Sequence, residues 1–243
     1  MIRSDASGSS VTVITLDKPS RRNALDADGC TELADAVLAA VTAEARVVVV
    51  TGAGGHFCAG ADLTGVHDDR FAGALRRLLD TLVTVPVPII AAVSGAALGA
   101  GTQLAVACDL RVATPDARFG IPAAKLGLMV DHWTVQRLAL LAGGGPARAM
   151  LLAADELDGA AAHRLGLVQR AGNLDDALAW AQAIASLAPL TIAGHKLALN
   201  RLEAGLGEHP EVGAAFRRAW DSEDLAEGMA AFRERRPAAF RGR

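Results

Sequence analysis

The stretch Gly95–Asp109, GAALGAGTQLAVACD, carries chemistry in its backbone rather than its side chains. Gly95, Gly99 and Gly101 are separated only by alanine and leucine, and TQLAVAC then has the apolar spacing of a helix. N–H groups at a helix start have no intrahelical partner. Without bulky side chains around them they can approach a ligand closely. A turn of this kind can hold an anion, or an oxygen that becomes one during a reaction. It can equally be a tight strand-to-helix connection that holds nothing. The glycines do not follow G-x-G-x-x-G, which argues against a dinucleotide.

A second turn of the same composition, Gly52–Asp62 (GAGGHFCAGAD), follows the apolar run RVVVVT at 46–51. The first turn follows PIIAAV at 88–93. Continuous apolar runs of this length suit strands covered on both faces. If the two strands are neighbours, both turns open at the same end of the sheet, where ligands bind in α/β proteins. Two converging backbone N–H groups would form an oxyanion hole.

The elements that must position these turns alternate. VTVITL at 11–16 reads as a strand, and DKPSRRN at 17–23 as a turn with two adjacent arginines. Residues 27–42 read as a helix with Leu33, Val37, Leu38 and Val41 on one face, and 68–85 as a second helix closed by Pro86 and Pro88. DLRVA at 109–113 is a further strand, FGIPAAKLGL at 119–128 a loop, and HWTVQRLALLAG after Asp131 an amphipathic helix. From Pro146 onward the pattern is almost wholly helical, with a strand expected only at 166–170, while residues 1–10 are polar, Gly/Ser-rich and expected to fray. This alternation predicts an α/β core followed by a helical region.

With 243 residues, 51% of them hydrophobic and 21% charged, the chain can bury a sizeable core. A net charge of −3 gives no nucleic-acid footprint, and the absence of tyrosine argues against a base-stacking platform. Cys30, Cys58 and Cys108 match no zinc spacing and form no disulfide framework, which predicts a reducing, cytoplasmic setting. No signal peptide is expected, and PVPIIAAVSGAALGAG is too short and too broken by glycine for a membrane span. His56 and Cys58 read as packing residues, His67–Asp69 as a solvated helix start rather than a metal site, His132 as a surface group and Trp133 as core.

FCAGADL at 57–63, AAVSGAALGAGTQLAVACDLRVAT at 91–114 and ARFGIPAAKLGL at 117–128 resemble the enoyl-CoA hydratase/isomerase, or crotonase, family. So do DKPSRRNAL at 17–25 and EGMAAFRERRPAAFRG at 227–242. The resemblance covers essentially the whole chain. It implies a crotonase-like α/β fold, a spiral of ββα turns over 1–190, with a C-terminal helical trimerisation region over 191–243. It also implies an acyl-CoA thioester as ligand, with coenzyme A part of that ligand rather than a separate cofactor, and a homotrimer or hexamer. The family's oxyanion-hole donors fall on the N–H groups of Ala61 and Ala100, the latter standing where the family has the middle glycine of a Gly-Gly-Gly run. Its coenzyme A contacts fall on Arg21, Arg22, Ala61, Asp62 and Leu63, and on Phe232, Arg235 and Arg236, the last three often reaching a neighbouring subunit.

Two departures bear on activity. Hydratases of the family carry glutamate at positions that are Gln103 and Ala123 here. Hydration needs water delivered to Cβ and a proton to Cα. Gln103 can orient a water but cannot take its proton, and Ala123 can do neither. General acid–base help is worth about 10²- to 10⁴-fold per group, so weak or absent hydratase activity is expected. Asp131, eight residues after Ala123, lies where some family members place a catalytic acid. It also stands at the N-cap of the following helix. The sequence therefore leaves open an acyl-CoA binder without turnover and an isomerase, or other enolate-forming enzyme, that uses Asp131.

Overall fold

The valines at 47–50 are all buried, because helices cover both faces of the sheet they belong to. The computed structural model describes residues 2–6, 10–62, 69–201, 210–211, 214, 217–218 and 221–243. Its main sheet contains β1 (Ile2–Ala6), β2 (Val11–Leu16), β3 (Val47–Gly52), β4 (Ile89–Val93), β6 (Leu110–Ala113) and β9 (Arg170–Ala171), in that spatial order. β1 pairs antiparallel with β2, and every other pairing is parallel. Alternate residues point to opposite faces. Val48 and Val50 enter the larger core with α1 (Ala27–Thr42), α2 (Asp69–Thr84) and α3 (Ala100–Ala107). Val47 and Val49 meet Ala177 and Ala181 of α7 (Leu174–Ala185) on the other face.

A smaller sheet stands beside the first. Here β5 (Ala96–Leu98) pairs parallel with β7 (Arg118–Gly120), which pairs antiparallel with β8 (Glu156–Asp158). After a 3-10 turn at Pro122–Leu126 come α4 (His132–Ala142), α5 (Gly144–Leu152) and α6 (Gly159–Arg164). The chain ends with α8 (Pro189–Arg201) and α9 (Glu223–Glu234). Among the described residues no single helix is long and apolar enough to cross a membrane.

Four expectations are corrected. Residues 2–6 are a strand rather than a frayed end, because an edge strand needs only one hydrogen-bonded neighbour and Ile2 packs on the core. The strand expected at 166–170 is confined to Arg170–Ala171, since residues 165–169 form a turn in which Gly166 N–H bonds His163 O and Val168 N–H bonds Ala162 O. Leu38 is 42% exposed, and Cys30, Ala34 and Ala40 join Leu33 and Val37 on the buried face of α1. The loop expected at 119–128 instead takes in the end of a short strand, Arg118–Gly120, and a 3-10 turn, Pro122–Leu126.

α8 is locked beneath the N-terminal ends of the parallel strands. The buried Lys196 ammonium donates to Leu82 O (2.9 Å), Val87 O (2.9 Å) and Asp109 Oδ2 (2.7 Å). Asp109 also accepts from Ile89 N–H at 2.7 Å, which ties the entry of β4 to that of β6. Burial raises the Asp109 pKa and Lys196 opposes the shift. Arg111, fully buried, spends its guanidinium on the carbonyls of Ala105, Cys108 and Leu167, fastening the end of α3 to the next strand.

Candidate active site

Both glycine-rich turns lie beyond the C-terminal ends of β3 and β4 and are stitched together by backbone bonds. Phe57 N–H donates to Ser94 O (2.8 Å), Cys58 N–H to Ala96 O (2.9 Å) and Leu98 N–H to Cys58 O (3.0 Å). His56 Nδ1 accepts from Ala96 N–H at 3.2 Å, so this histidine is part of the joint, as its sequence context suggests. Only glycine fits at two crossing points. A Cβ on Gly101 would stand 2.1 Å from Cys58 O, and one on Gly60 2.9 Å from Leu98 O, with Gly60 already at φ +114°.

The RRNAL segment joins the same assembly. Leu25 N–H donates to Gly60 O (2.8 Å), Asp62 N–H to Leu25 O (2.7 Å) and Ala59 N–H to Arg22 O (2.9 Å). Asn23 is completely buried and organises the junction. Its Oδ1 accepts from Lys18 N–H (2.9 Å), and its Nδ2 donates to Ala53 O (2.9 Å) and His56 O (2.7 Å). Sequence reasoning passed over Asn23; its signal was a short polar residue able to take a left-handed φ, here +61°, directly after two arginines. Arg21 lies 3.8 Å from the Asp62 carboxylate.

Ala61 and Ala100 face one cleft of about 640 Å³. Ala100 is the first residue of α3, so its N–H has no helical partner. Ala61 N–H is not used in the bridge to Leu25, which runs through the flanking residues. The methyl group at Ala100 is accommodated, with the residue 7% exposed in a helical backbone. Thr102 braces this helix start: its hydroxyl donates to Ala97 O (2.6 Å) and accepts from Gly120 N–H (3.1 Å).

The cleft wall is almost entirely apolar. Among the described residues its side chains with polar ends are Gln103, Asp131 and Arg76, and Ala123 stands among the apolar ones. Asp131 caps α4 as expected, accepting from Thr134 N–H at 3.2 Å. It also accepts the Thr134 hydroxyl proton and pairs with Arg76 Nη1 at 3.2 Å. Arg76 lies over the Trp133 ring, 5.3 Å from its centroid, and binds Asp80 as well. Its pKa is raised, first by the hydrogen bond to Asp80 and then by Asp131. Gln103 is 7% exposed, and its amide nitrogen donates to Thr134 Oγ1 at 2.8 Å. Arg76 and Thr134 were not singled out in the sequence. One sits in an ordinary charged helix, the other looks like a routine first-turn residue, and only the fold joins them to Gln103 and Asp131.

Burial pushes the Cys58 thiol in the 52–62 turn up to about 12, which keeps it protonated and a poor nucleophile near neutral pH. Among the described residues no three His, Cys, Asp or Glu side chains are grouped to hold a metal.

The tail is not brought to this site within one chain. Arg236 pairs with Glu227 and Glu234, both at 2.6 Å. Residues beyond it dock at the opposite end of the sheet, where Arg46, just ahead of β3, donates to Phe240 O at 2.6 Å. Arg241 and Gly242 N–H groups bond the buried Asp224 carboxylate at 2.6 and 2.7 Å. Arg21 and Arg22 do lie by the 52–62 turn, through Asp62 and Ala59. Leu63, the 67–68 segment and the Phe232 side chain lie outside the described residues.

The family model described as enoyl-CoA hydratase/isomerase matches residues 6–243. The chain belongs to the enoyl-CoA hydratase/isomerase family. It is 44% identical over 239 residues to a protein named probable enoyl-CoA hydratase echA6 from Mycobacterium tuberculosis, covering 96% of each chain. It is 35% identical over 247 residues to the 2,3-dehydroadipyl-CoA hydratase of Escherichia coli, again covering 96% of each. Solved structures agree. A putative family member from Hyphomonas neptunium superposes with a TM-score of 0.90 at 32% identity, over 100% of this chain and 98% of the other. The enoyl-CoA hydratase of Mycobacterium tuberculosis H37Rv gives 0.89 at 32% identity, over 100% and 99%. The crotonase-like α/β fold implied by the sequence motifs is therefore the fold of this enoyl-CoA hydratase/isomerase family member.

Proposed function

We propose that this family member binds an acyl-CoA thioester, with its carbonyl between Ala61 N–H and Ala100 N–H, and hydrates enoyl-CoA weakly or not at all. One observation carries this reading. Among the described residues, the cleft that joins the two N–H groups holds one carboxylate, Asp131, already engaged by Thr134 and Arg76, while Gln103 and Ala123 occupy the positions where acid–base groups are needed. Two oriented donors suit a thioester oxygen, and the apolar wall suits an acyl chain. Arg21 and Arg22, beside the 52–62 turn, provide charge for coenzyme A phosphates. We assign Arg235, Arg236 and Phe232 to the same task from a neighbouring copy, within a trimer or hexamer built through residues 191–243, in a cytoplasmic setting.

A second reading rests on the position of Asp131. Its side chain is 42% exposed, it lines the cleft, and among the described residues it is the carboxylate there that could move a proton between carbons of an enolate. In that reading the protein is an isomerase or another enolate-forming enzyme.

Crotonyl-CoA hydration, 3-enoyl-CoA isomerisation and binding of a saturated acyl-CoA, measured side by side, test the choice. Hydration several orders of magnitude below a competent hydratase is expected, with tight binding of the saturated thioester. Restoring glutamate at positions 103 and 123 together should raise hydration. A wild-type turnover of about 10 s⁻¹ or more on crotonyl-CoA would overturn the proposal.

A further inference from the structure

Two walls face each other across the cleft. One is α2, which turns Phe71, Leu75 and Leu79 inward along one helix face. The other is the rim segment 122–131, between the end of β7 and the start of α4. The two are held differently. α2 is fastened to α1, where Arg70 and Arg77 pair with Asp28 and Asp35. In the rim segment, Gly127 and Leu128 N–H both turn back to Ala123 O, within the segment itself. Leu126 and Met129 line the cleft yet are 51% and 89% exposed, so little rests on them from outside. A Cβ at Gly127 would meet nothing within 4 Å. If either wall moves, it is the rim.

Arg76 reaches from one wall to the other. Its Nε and Nη2 grip Asp80, one turn further along α2, and its Nη1 crosses to Asp131 Oδ2 at 3.2 Å. Each end of the crossing contact has a second partner on its own side. When the contact opens, Arg76 keeps Asp80, and Asp131 keeps the Thr134 N–H and hydroxyl. Neither charge is stranded, so opening escapes the penalty of an unpaired polar group. The two side chains are 44% and 42% exposed. A pair this wet biases an equilibrium by at most about fivefold. It favours the closed arrangement without fixing it.

We propose that the Arg76–Asp131 contact is an ionic latch that holds the rim segment 122–131 against α2, and that its opening controls how fast an acyl group enters and leaves the cleft. This rests on the acyl-thioester reading above and adds a kinetic control to that site. Arg76 is a positioning residue, acting on the wall rather than on a reacting atom. Asp80 is its counterweight, drawing the guanidinium back onto α2. A gate closed to the same extent with and without ligand scales entry and exit together and leaves Kd alone.

Surface plasmon resonance, with the full chain immobilised and decanoyl-CoA as the probe, tests it. Arg76→Met keeps an apolar stem over Trp133 and removes the charge. It should raise the association and dissociation rates together, by about two- to fivefold. Asp131→Asn should do the same, and the double variant should be no faster than either single one. Asp80→Asn removes the counterweight and leaves the guanidinium to Asp131, so exchange should slow. A pair that merely steadied the fold would not give that opposite sign. The ratio of Arg76→Met to wild-type rates should fall toward one as salt rises, because salt screens the pair, while any effect of salt on the phosphates cancels in the ratio. Should Arg76→Met fail to fold, the opposite shifts in Asp131→Asn and Asp80→Asn decide. Unchanged exchange in folded variants, additive effects of Arg76→Met and Asp131→Asn, or faster exchange in Asp80→Asn overturns the latch and leaves the acyl-thioester reading standing. Failure of decanoyl-CoA to bind the wild type at millimolar concentration overturns both.

Discussion

Arg76 and Asp131 lie 55 residues apart in the chain and 3.2 Å apart at the cleft, joining the middle of α2 to the cap of α4. The contact makes Asp131 at once a helix cap, an ion-pair partner and a wall residue. These roles separate experimentally. Asp131→Asn keeps a side-chain acceptor for Thr134 N–H, so stability should fall little, whereas Asp131→Ala should cost about 0.5–2 kcal/mol. Loss of the half-exposed Arg76 pair adds at most about 1 kcal/mol in either variant. Melting curves read these differences. If the chain is an isomerase, Asp131→Asn also abolishes 3-enoyl-CoA turnover while acyl-CoA affinity changes little, and full turnover in that variant eliminates Asp131 as the proton carrier.

The two turns meet backbone to backbone, so their tolerance of a methyl group is sharply local. Gly101→Ala places Cβ 2.1 Å from Cys58 O, an atom that cannot swing aside. The turns must separate, at a cost of at least about 1–3 kcal/mol. Acyl-CoA affinity should fall as well, because Ala61 N–H and Ala100 N–H lose their spacing. Gly73→Ala, in the interior of α2 with open space around it, should instead stabilise by about 0.5–1 kcal/mol. Denaturant midpoints for the two variants should therefore move in opposite directions.

Much of this arrangement is legible in the amino-acid sequence. Val11–Leu16, the α1 boundaries and, to within one residue, the strand expected at 46–51 follow from composition and period, because each is long enough for one hydrophobic pattern to dominate. The two turns were visible because glycine and alanine without large neighbours have few other uses. β5, β7 and β8 were not visible, since three-residue strands carry no measurable period. The pairing of Gln103 with Thr134 was also hidden, because nothing in either residue's own neighbourhood reports a contact made across 31 positions. Asp131 was readable as a cap and as a possible acid, but its ion pair with Arg76 was not.

The thiols give a pH-dependent prediction. Burial pushes Cys30, Cys58 and Cys108 each up to about 12, from an ordinary value near 9. A folded pKa above the unfolded one means that the unfolded chain loses protons first. Stability is then full below about pH 9 and falls as pH rises toward 12. Thermal midpoints should hold between pH 7 and 8.5 and drop steadily above that. Iodoacetamide at pH 8 should leave all three thiols unmodified until denaturant is added. Rapid alkylation of the native protein would contradict the buried placement of these residues.

The last prediction concerns assembly. In one chain Arg236 is committed to Glu227 and Glu234, and the residues after it dock near Arg46, away from Arg21 and Arg22. If the tail serves coenzyme A, it must serve a neighbour's site. The described part of the C-terminal helical region leaves Leu199 and Leu225 exposed at 61% and 40%, as expected of surface that another copy covers. Light scattering at micromolar concentration should give a trimer or a dimer of trimers. Acyl-CoA affinity should weaken as salt rises, since exposed arginines and phosphates are screened. Charge reversal at Arg21 and Arg22 in one preparation, and at Arg235 and Arg236 in another, should weaken binding in each. Co-refolding the two variants should then restore a fraction of full-affinity sites, because some neighbouring pairs combine an intact turn with an intact tail. A stable monomer, or a mixture that binds no better than its parts, would show that the tail arginines serve no neighbouring site.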